Sequence, residues 1–207
     1  MPKVVDHDAV RAALIGRASG LFVERGYAGV GMREVAAAAG VPKSSLYHYF
    51  PTKEALLAEV CRTWMEAELE VLRGLVAPHR SPRARLEACV EWTVRAEKEL
   101  LATSVVLLDA SAPRGSPAIA ALFEAYVEGL ADVVGLTQER VRVLLATMVG
   151  GVLLRQIDGG RLELHAIGRW LVNTLAGRPR RHAAGGTAAR SRPGDRPARR
   201  GPSGARR

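Results

Sequence analysis

Apolar residues recur every three or four positions along most of this chain, which is the spacing of one face of an α-helix. Six long segments follow this pattern, and loops rich in glycine, proline or serine separate most of them: 8–25, 53–76, 83–101, 119–135, 138–158 and 161–175. A shorter apolar segment, 103–110, contains β-branched residues but lies in a helical context. No segment shows the strict alternation of a half-buried strand. The pattern predicts an all-α protein of about nine helices, including two short helices within residues 31–50.

Residues 31–50, GMREVAAAAGVPKSSLYHYF, predict two short helices joined by a tight turn. Small apolar residues fall on one face of the first helix, and Gly40 provides the backbone freedom that the turn needs. Pro42 suits the first turn of the second helix, because its missing N–H would have no partner there. Leu46 and Tyr49 face inward in this interpretation. Because the second helix of a helix-turn-helix enters the major groove, we expect DNA binding.

Loops and composition divide the chain into three predicted parts. Residues 8–53 form the helix-turn-helix domain, and the helix that follows is long enough to leave it. Residues 54–177 form a second helical domain, with a loop at 77–82. Residues 178–207 contain no Val, Ile, Leu, Met or aromatic side chain. Such a segment cannot bury enough apolar area to offset the entropy of ordering, so we expect a disordered, arginine-rich tail.

The net charge of +9 is concentrated in the predicted tail. Residues 178–207 contain ten Arg and one Asp, whereas residues 1–177 contain equal numbers of basic and acidic side chains. Within the body, residues 1–53 hold seven basic and four acidic residues, a mild basic bias. The tail either adds non-specific DNA affinity, as mobile polycations do, or has no selected role; the sequence leaves both open.

Other kinds of site are not indicated. The five histidines and two cysteines show no metal-ligand spacing, and no catalytic or phosphate-binding motif is present. We therefore expect no metal, no cofactor and no enzymatic activity, with Cys61 and Cys89 as packed thiols. The longest largely apolar run, Val143–Leu154, is shorter than the ~20 residues of a membrane-spanning helix. Since the N-terminus lacks a signal-peptide pattern, we expect a cytoplasmic protein that does not contact membranes.

The region around the helix-turn-helix resembles a known family. A helix ending at Gly26-Tyr27, followed by MREVAAAAGVPKSSLYHYFPTKEALL, is similar to the DNA-binding domain of the TetR (tetracycline-repressor-like) family. The similarity covers about residues 9–69. It implies a three-helix N-terminal domain, joined by a fourth helix to a C-terminal helical domain that binds a ligand and forms the dimer. It also implies a homodimeric transcriptional regulator, usually a repressor, that a small-molecule effector releases from a palindromic operator in double-stranded DNA.

The resemblance also implies which residues contact DNA. The predicted DNA-binding residues are Arg33, Lys43, Ser44, Ser45, Tyr47, His48, Tyr49 and Lys53. Lys43 is the best candidate for reading a base, since lysine favours guanine O6 and N7, while hydroxyl groups suit phosphate oxygens. Alternatively, the tyrosines are partly core aromatics and Lys53 is a solvated charge. Gly31 and Met32 stand where the family often has Thr or Ser, so the usual hydroxyl cap is missing.

The second domain is expected to hold an effector pocket and the dimer face. The expected pocket walls are Trp92, Leu107, Phe123, Tyr126 and Met148. The expected dimer face lies on the last two helices and comprises Ala146, Val149, Gly150, Leu153, Ile167, Trp170, Leu171 and Thr174. Alternatively, the wall residues are plain core, and the small residues mark a helix crossing within one protomer. Glu91, Arg95 and Asp109 are either polar anchors of the pocket or surface residues. We expect a mostly apolar effector.

A second function stays open from the sequence alone. The chain could be a helical protein that binds nucleic acid without sequence preference, with its basic tail dominating the interaction. A short palindromic footprint on DNA would distinguish the regulator from this alternative, because a non-specific binder coats DNA uniformly.

Overall fold

The structure is a computed structural model that describes residues 6–111 and 116–176. Over these residues the chain forms nine α-helices and no strand: α1 His7–Arg25, α2 Met32–Ala38, α3 Lys43–Tyr49, α4 Lys53–Val76, α5 Pro82–Arg95, α6 Glu97–Ser111, α7 Pro117–Val134, α8 Gln138–Ile157 and α9 Leu164–Leu175. The prediction of an all-α fold is confirmed. The predicted tail, residues 178–207, lies outside the described residues.

Side chains at the helix ends explain where several helices begin and end. Asp6 caps α1, since its carboxylate accepts hydrogen bonds from the backbone N–H groups of the first turn. Thr52 caps α4 through the amide of Ala55. The helix α7 ends at Gly135, whose left-handed conformation, with φ of 72°, favours glycine.

The helix-turn-helix domain packs α1, α2 and α3 around a shared apolar core. Phe22, Leu46 and Phe50 are fully buried there. The first half of α4 closes this core, and Val106 of α6 and Ile119 of α7 join it. The domain predicted as residues 8–53 therefore depends for its core on side chains from the second domain.

The second domain packs α4 against α7, and α9 against both α5 and α8. Glycines allow these helices to approach closely. A Cβ at Gly129 of α7 would lie 2.8 Å from Leu69 Cδ1 of α4, and a Cβ at Gly168 of α9 would overlap Val90 of α5. The α8–α9 crossing is also close at Gly151, where a Cβ would lie 3.1 Å from the Cδ1 atom of Ile167.

Two predicted helix boundaries are wrong. The segment 83–101 is not one helix, because α5 ends at Arg95 and α6 begins at Glu97 after a turn at Ala96. The last helix begins at Leu164 rather than at Arg161. The Oδ1 atom of Asp158 accepts hydrogen bonds at 3.0 Å from the amides of Gly160 and Arg161, which fixes a turn there instead. Among the described helices, none is long and apolar enough to cross a membrane.

Candidate nucleic-acid interface and effector cavity

The turn between α2 and α3 fixes the angle at which α3 leaves the domain. Gly40 has a φ of 66°, which suits glycine. The amides of Gly40 and Val41 donate to the carbonyl oxygens of Ala37 and Ala36 at 3.1 and 3.0 Å. These bonds pair the last carbonyl groups of α2 and end the helix. Val41 then packs against the core, so the turn is anchored at both ends.

The helix α3 buries one side chain and exposes most of the others. Leu46 is fully buried, whereas Lys43, Ser44, Tyr47 and His48 are exposed. The Nζ atom of Lys43 lies 5.2 Å from the centroid of the Tyr47 ring. The fold therefore brings these four predicted DNA-binding residues to one exposed helix, while Ser45 beside them is half-buried.

Tyr49, at the end of α3, combines a core position with a polar contact. It is half-buried and packs against the core of the helix-turn-helix domain. Its hydroxyl group is hydrogen-bonded to Nδ1 of His7 at 2.6 Å. Tyr49 thus ties the end of α3 to the start of α1, as the alternative of a partly core aromatic anticipates.

The beginning of α2 lacks a side-chain cap, as the departure at Gly31 predicts. The Oε2 atom of Glu34 accepts a hydrogen bond from the Gly31 amide at 2.8 Å instead. This bond, together with the guanidinium of Arg25 at 2.8 Å from Oε1, lowers the pKa of the Glu34 carboxyl group. Arg33 follows the cap and is exposed.

Lys53, at the start of α4, lies over an aromatic ring. It is half-buried, and its Nζ atom is 4.1 Å from the centroid of the Tyr27 ring. Burial lowers the pKa of Lys53, and the carboxylates of Asp109, Glu54 and Glu34 oppose this effect. The Tyr27 hydroxyl donates to Glu54 at 3.2 Å, and burial, followed by that carboxylate, raises the pKa of Tyr27 to about 12. Lys53 is therefore held by neighbours rather than freely solvated.

Asp109 of α6 contacts the helix-turn-helix domain directly. Its Oδ2 atom accepts a hydrogen bond from the Ala28 amide at 2.7 Å, in the turn after α1. The approach requires glycine nearby, because a Cβ at Gly26 would lie 3.3 Å from the same oxygen. Asp109 is thus neither a pocket anchor nor a plain surface residue, but a link between the two domains.

A cavity of about 490 Å³ lies between α4, α6, α7 and α8, with Thr93 of α5 also on its wall. Four of the five predicted wall residues line it: Leu107, Phe123, Tyr126 and Met148. Trp92 is not among the lining residues and packs against the apolar cluster around Leu69 and Val127. The other lining side chains are mostly apolar, which fits the expected apolar effector.

Glu68 of α4 is a lining residue that the sequence analysis missed. It is half-buried, and the Tyr126 hydroxyl donates a hydrogen bond to its carboxylate. Burial raises the pKa of Glu68. A signal was present: Cys61, Met65, Glu68 and Leu72 recur at helical spacing, so a carboxylate occupies a position of the apolar stripe.

Trp64 also lines the cavity and links it to α1. Its Nε1 atom donates to the Ser19 hydroxyl at 2.9 Å. One side chain thus contacts both the cavity and the helix-turn-helix domain. The sequence gives no signal for this role, since tryptophan at an apolar position of a helix is ordinary core.

The residues predicted for the dimer face are divided among three environments. Ala146 and Val149 line the cavity. Leu171 is fully buried within the protomer, in the cluster around Leu86 and Val172, so its assignment to a dimer face is wrong. Ile167 packs against the same cluster and Leu153 is half-buried.

Gly150, Trp170 and Thr174 remain on the outside of α8 and α9. Trp170 is 58% exposed, and a Cβ at Gly150 would meet no atom within 4 Å. The close crossing inside the protomer is at Gly151 instead. The sequence analysis also missed exposed apolar side chains on α8: Val143, Leu154 and Ile157.

Neither cysteine is placed for metal binding or disulfide chemistry. Cys61 and Cys89 are free and buried, and burial raises their thiol pKa values to about 11 and about 12. Within 6–111 and 116–176, no group of His, Cys, Asp and Glu side chains is arranged to hold a metal ion.

Comparison with known proteins gives one family-model match, which covers the helix-turn-helix, and several similar curated proteins. Residues 14–60 match the family model described as bacterial regulatory proteins, tetR family. The repressor KstR2 of Rhodococcus jostii RHA1 is 37% identical over 86 residues, which are 42% of this chain and 42% of that protein. KstR2 of Mycobacterium tuberculosis H37Rv is 31% identical over 111 residues, 51% of this chain and 56% of the relative. The chain thus spans about half the length of the curated relatives that it matches.

Solved structures share the fold over most of the chain. The reduced form of Escherichia coli NemR superposes with a TM-score of 0.66 at 22% identity, covering 83% of this chain and 99% of that one. FadR of Bacillus subtilis, in complex with stearoyl-CoA, gives a TM-score of 0.62 at 17% identity, covering 80% and 97%. Residues 14–60 are thus similar to the DNA-binding domain of the tetR family of bacterial regulatory proteins, and the solved structures show the same fold over most of the chain.

Proposed function

We propose that this protein is a homodimeric transcriptional repressor, which binds a two-fold symmetric operator through α3 and leaves it when a small molecule fills the cavity. The observation that carries the proposal is the exposed face of α3, where Lys43, Ser44, Tyr47 and His48 lie on a helix that a fixed turn presents outward. The naming of the KstR2 relatives as transcriptional repressors supports the direction of regulation.

In the proposed complex, Lys43 contacts a base edge, and the hydroxyl groups around it contact phosphates. Arg33 and Lys53 neutralise phosphates on either side of α3. The Tyr27 ring holds the ammonium group of Lys53 in place, so this contact needs little further ordering of the side chain.

Dimerisation is proposed through the exposed side of α8 and α9. Val143, Thr147, Gly150, Leu154 and Ile157 recur at intervals of four and three residues, which places them along one side of α8. The three large apolar residues among them are 44%, 58% and 82% exposed, an apolar stripe that a second copy would cover. Open space at Gly150 would let that copy approach the backbone closely.

The cavity is the proposed effector site, because its walls reach the DNA-binding domain. Trp64 of α4 bonds to Ser19 of α1, and Leu107 of α6 lies two residues before Asp109, which bonds to Ala28. A ligand that moves α4 or α6 would therefore shift the helix-turn-helix domain. In a dimer this changes the spacing of the two α3 helices, which must match half-sites about 34–36 Å apart or a multiple of that distance.

The proposal requires no catalytic step, and members of the matched family are regulators. We place the protein in the cytoplasm, where the operator DNA of a bacterium lies.

Footprinting tests the DNA-binding part of the proposal. The full chain should protect a short palindromic site in DNA near its own gene, whereas uniform coating would support non-specific binding instead. Lys43→Ala should weaken operator binding by about 1–3 kcal/mol, while Lys98→Ala, an exposed lysine of α6, should leave it unchanged. Full affinity and specificity in the Lys43→Ala variant would refute the role of Lys43.

Sedimentation of the full chain tests the dimer. We expect a dimer at micromolar concentration, and a monomer under those conditions would refute the proposed mode of operator binding. If the chain is a dimer and its affinity for DNA is the same whether or not the cavity is occupied by a ligand, only the proposed effector role of the cavity is refuted.

A further inference from the structure

The charges on the cavity wall are unbalanced. Two residues with full charges line it, Arg142 and Glu68. Arg142 is paired with Glu124, since both of its terminal nitrogens bond to that carboxylate, one of them at 3.1 Å. Glu68 forms no ion pair with any residue that the structure describes. The negative charge is therefore left without a compensating cation.

The hydroxyl groups on the wall, those of Thr93, Thr103, Ser104 and Tyr126, are neutral. Thr93 and Thr103 donate their hydroxyl hydrogens to the backbone carbonyl oxygens of Cys89 at 2.9 Å and Glu99 at 3.0 Å. Tyr126 donates to Glu68 itself. Because the hydroxyl oxygens are neutral acceptors, the Glu68 carboxylate stands out among the described wall residues as the acceptor that carries a charge.

Three aromatic side chains line the same cavity as this carboxylate. Trp64, Phe123 and Tyr126 all line the cavity, and aromatic ring faces attract cations. A half-buried carboxylate without a counter-ion is unfavourable, and a ligand cation would relieve that cost. A ligand carboxylate or phosphate would instead meet a like charge, at a short distance and away from water.

We propose that the cavity selects a lipophilic organic cation, with its positive group against Glu68 and its apolar part against the aliphatic and aromatic wall. This rests on the proposed function only in taking the cavity as the effector site. Burial raises the pKa of Glu68, as expected for a carboxyl group that lacks a counter-ion. A bound cation would lower that pKa again.

Three probes with the same ten-carbon chain test the selectivity: decyltrimethylammonium, decanol and decanoate. Binding to the full chain, measured by calorimetry, should be at least tenfold tighter for the ammonium probe than for decanol, and weakest for decanoate. Glu68→Gln keeps the shape of the side chain and removes its charge, so it should abolish the preference for the cation. Glu70→Gln removes an exposed carboxylate from the same helix and should leave the preference intact.

Either of two results would overturn the proposal: decanol or decanoate binding as tightly as the ammonium probe, or an equal preference for the cation in Glu68→Gln and the wild type. Should Glu68→Gln not fold, the ranking of the three probes on the wild-type chain decides. The proposed function is assayed separately by operator binding. A chain that binds the cation but no operator refutes the function alone, and a chain that binds its operator but none of the probes refutes this inference alone.

Discussion

The hydrogen bond from the Ala28 amide to Asp109 joins α6 to the helix-turn-helix domain, and Asp109→Ala removes it. The bond is 2.7 Å long and its acceptor is a carboxylate. Hydrogen bonds to charged groups contribute about 1.5–3 kcal/mol. Because Ala28 is exposed, water can replace the lost acceptor, and we expect the lower end, about 1.5 kcal/mol of unfolding free energy.

Amide hydrogen exchange at Ala28 measures this bond directly. A loss of that size corresponds to roughly tenfold faster exchange, and urea unfolding should report the same decrease in stability. Asp109→Asn retains an oxygen acceptor and should restore part of the protection. Asp132→Ala removes an exposed aspartate of α7 and is the matched control.

The reasoning would be refuted if exchange at Ala28 and the unfolding free energy in Asp109→Ala equalled those of the Asp132→Ala control. A regulatory consequence also follows. Asp109→Ala should still bind a cavity ligand, but that ligand should release DNA less effectively, because one of the bonds between the cavity helices and the helix-turn-helix domain is missing.

Three further predictions concern the backbone, the thiols and the dimer. In a urea titration, Gly26→Ala should lower the free energy of unfolding by about 1–3 kcal/mol, since φ of 74° with ψ of 161° is strained for any residue with a side chain. Gly20 lies inside α1 with open space around it, so Gly20→Ala should instead raise the free energy of unfolding by about 0.5–1 kcal/mol in the same titration. In the native protein, Cys61 and Cys89 should resist alkylation by iodoacetamide at pH 8, because burial raises their thiol pKa values to about 11 and about 12. Both thiols should react once the protein is unfolded. Rapid alkylation of either cysteine in the native protein, detected by mass spectrometry, would contradict this. Ile157→Glu, at a side chain 82% exposed, should shift the sedimenting species from dimer to monomer without lowering thermal stability of the protomer, and an unchanged dimer would exclude this end of α8 from the interface.

The sequence predicts the local elements of this fold well, because they depend on neighbouring residues. Gly26, Gly40 and Gly135 end helices at the expected places, and their positive φ angles explain why. The break between α5 and α6 at Ala96 could not be predicted, since no glycine or proline marks it and the apolar pattern continues across it. No local signal in the sequence therefore marks where α5 ends and α6 begins.

Candidate site positions were most predictable where they depend on one short segment. The exposed residues of α3 follow from the periodicity of residues 43–49. The environment of Leu171 does not, because apolar spacing is the same for a core face and an interface face. Asp109 and Glu68 are each defined by partners far along the chain, Ala28 and Tyr126, which no local pattern reveals.

The helix α4 gives the clearest physical reason why the cavity and the DNA face could act together. It runs unbroken from Lys53 to Val76, so Lys53, a proposed DNA contact, and Glu68 on the cavity wall lie about 22 Å apart on one helix, at 1.5 Å per residue. Between them, Trp64 bonds to α1. A cation bound at Glu68 would therefore act on the same helix that carries Lys53 and Trp64.

A small free energy is sufficient for a displacement of α4 to change DNA binding. Coupling between a ligand site and a second site is typically about 1–3 kcal/mol. Two of the hydrogen bonds that link the cavity helices to the DNA-binding domain, Trp64 to Ser19 and Ala28 to Asp109, together contribute about that much. Because Phe22 and Leu46 are fully buried, the helix-turn-helix domain would move as one body when these links shift. The loss of either link should therefore weaken the effector response more than it weakens DNA binding itself.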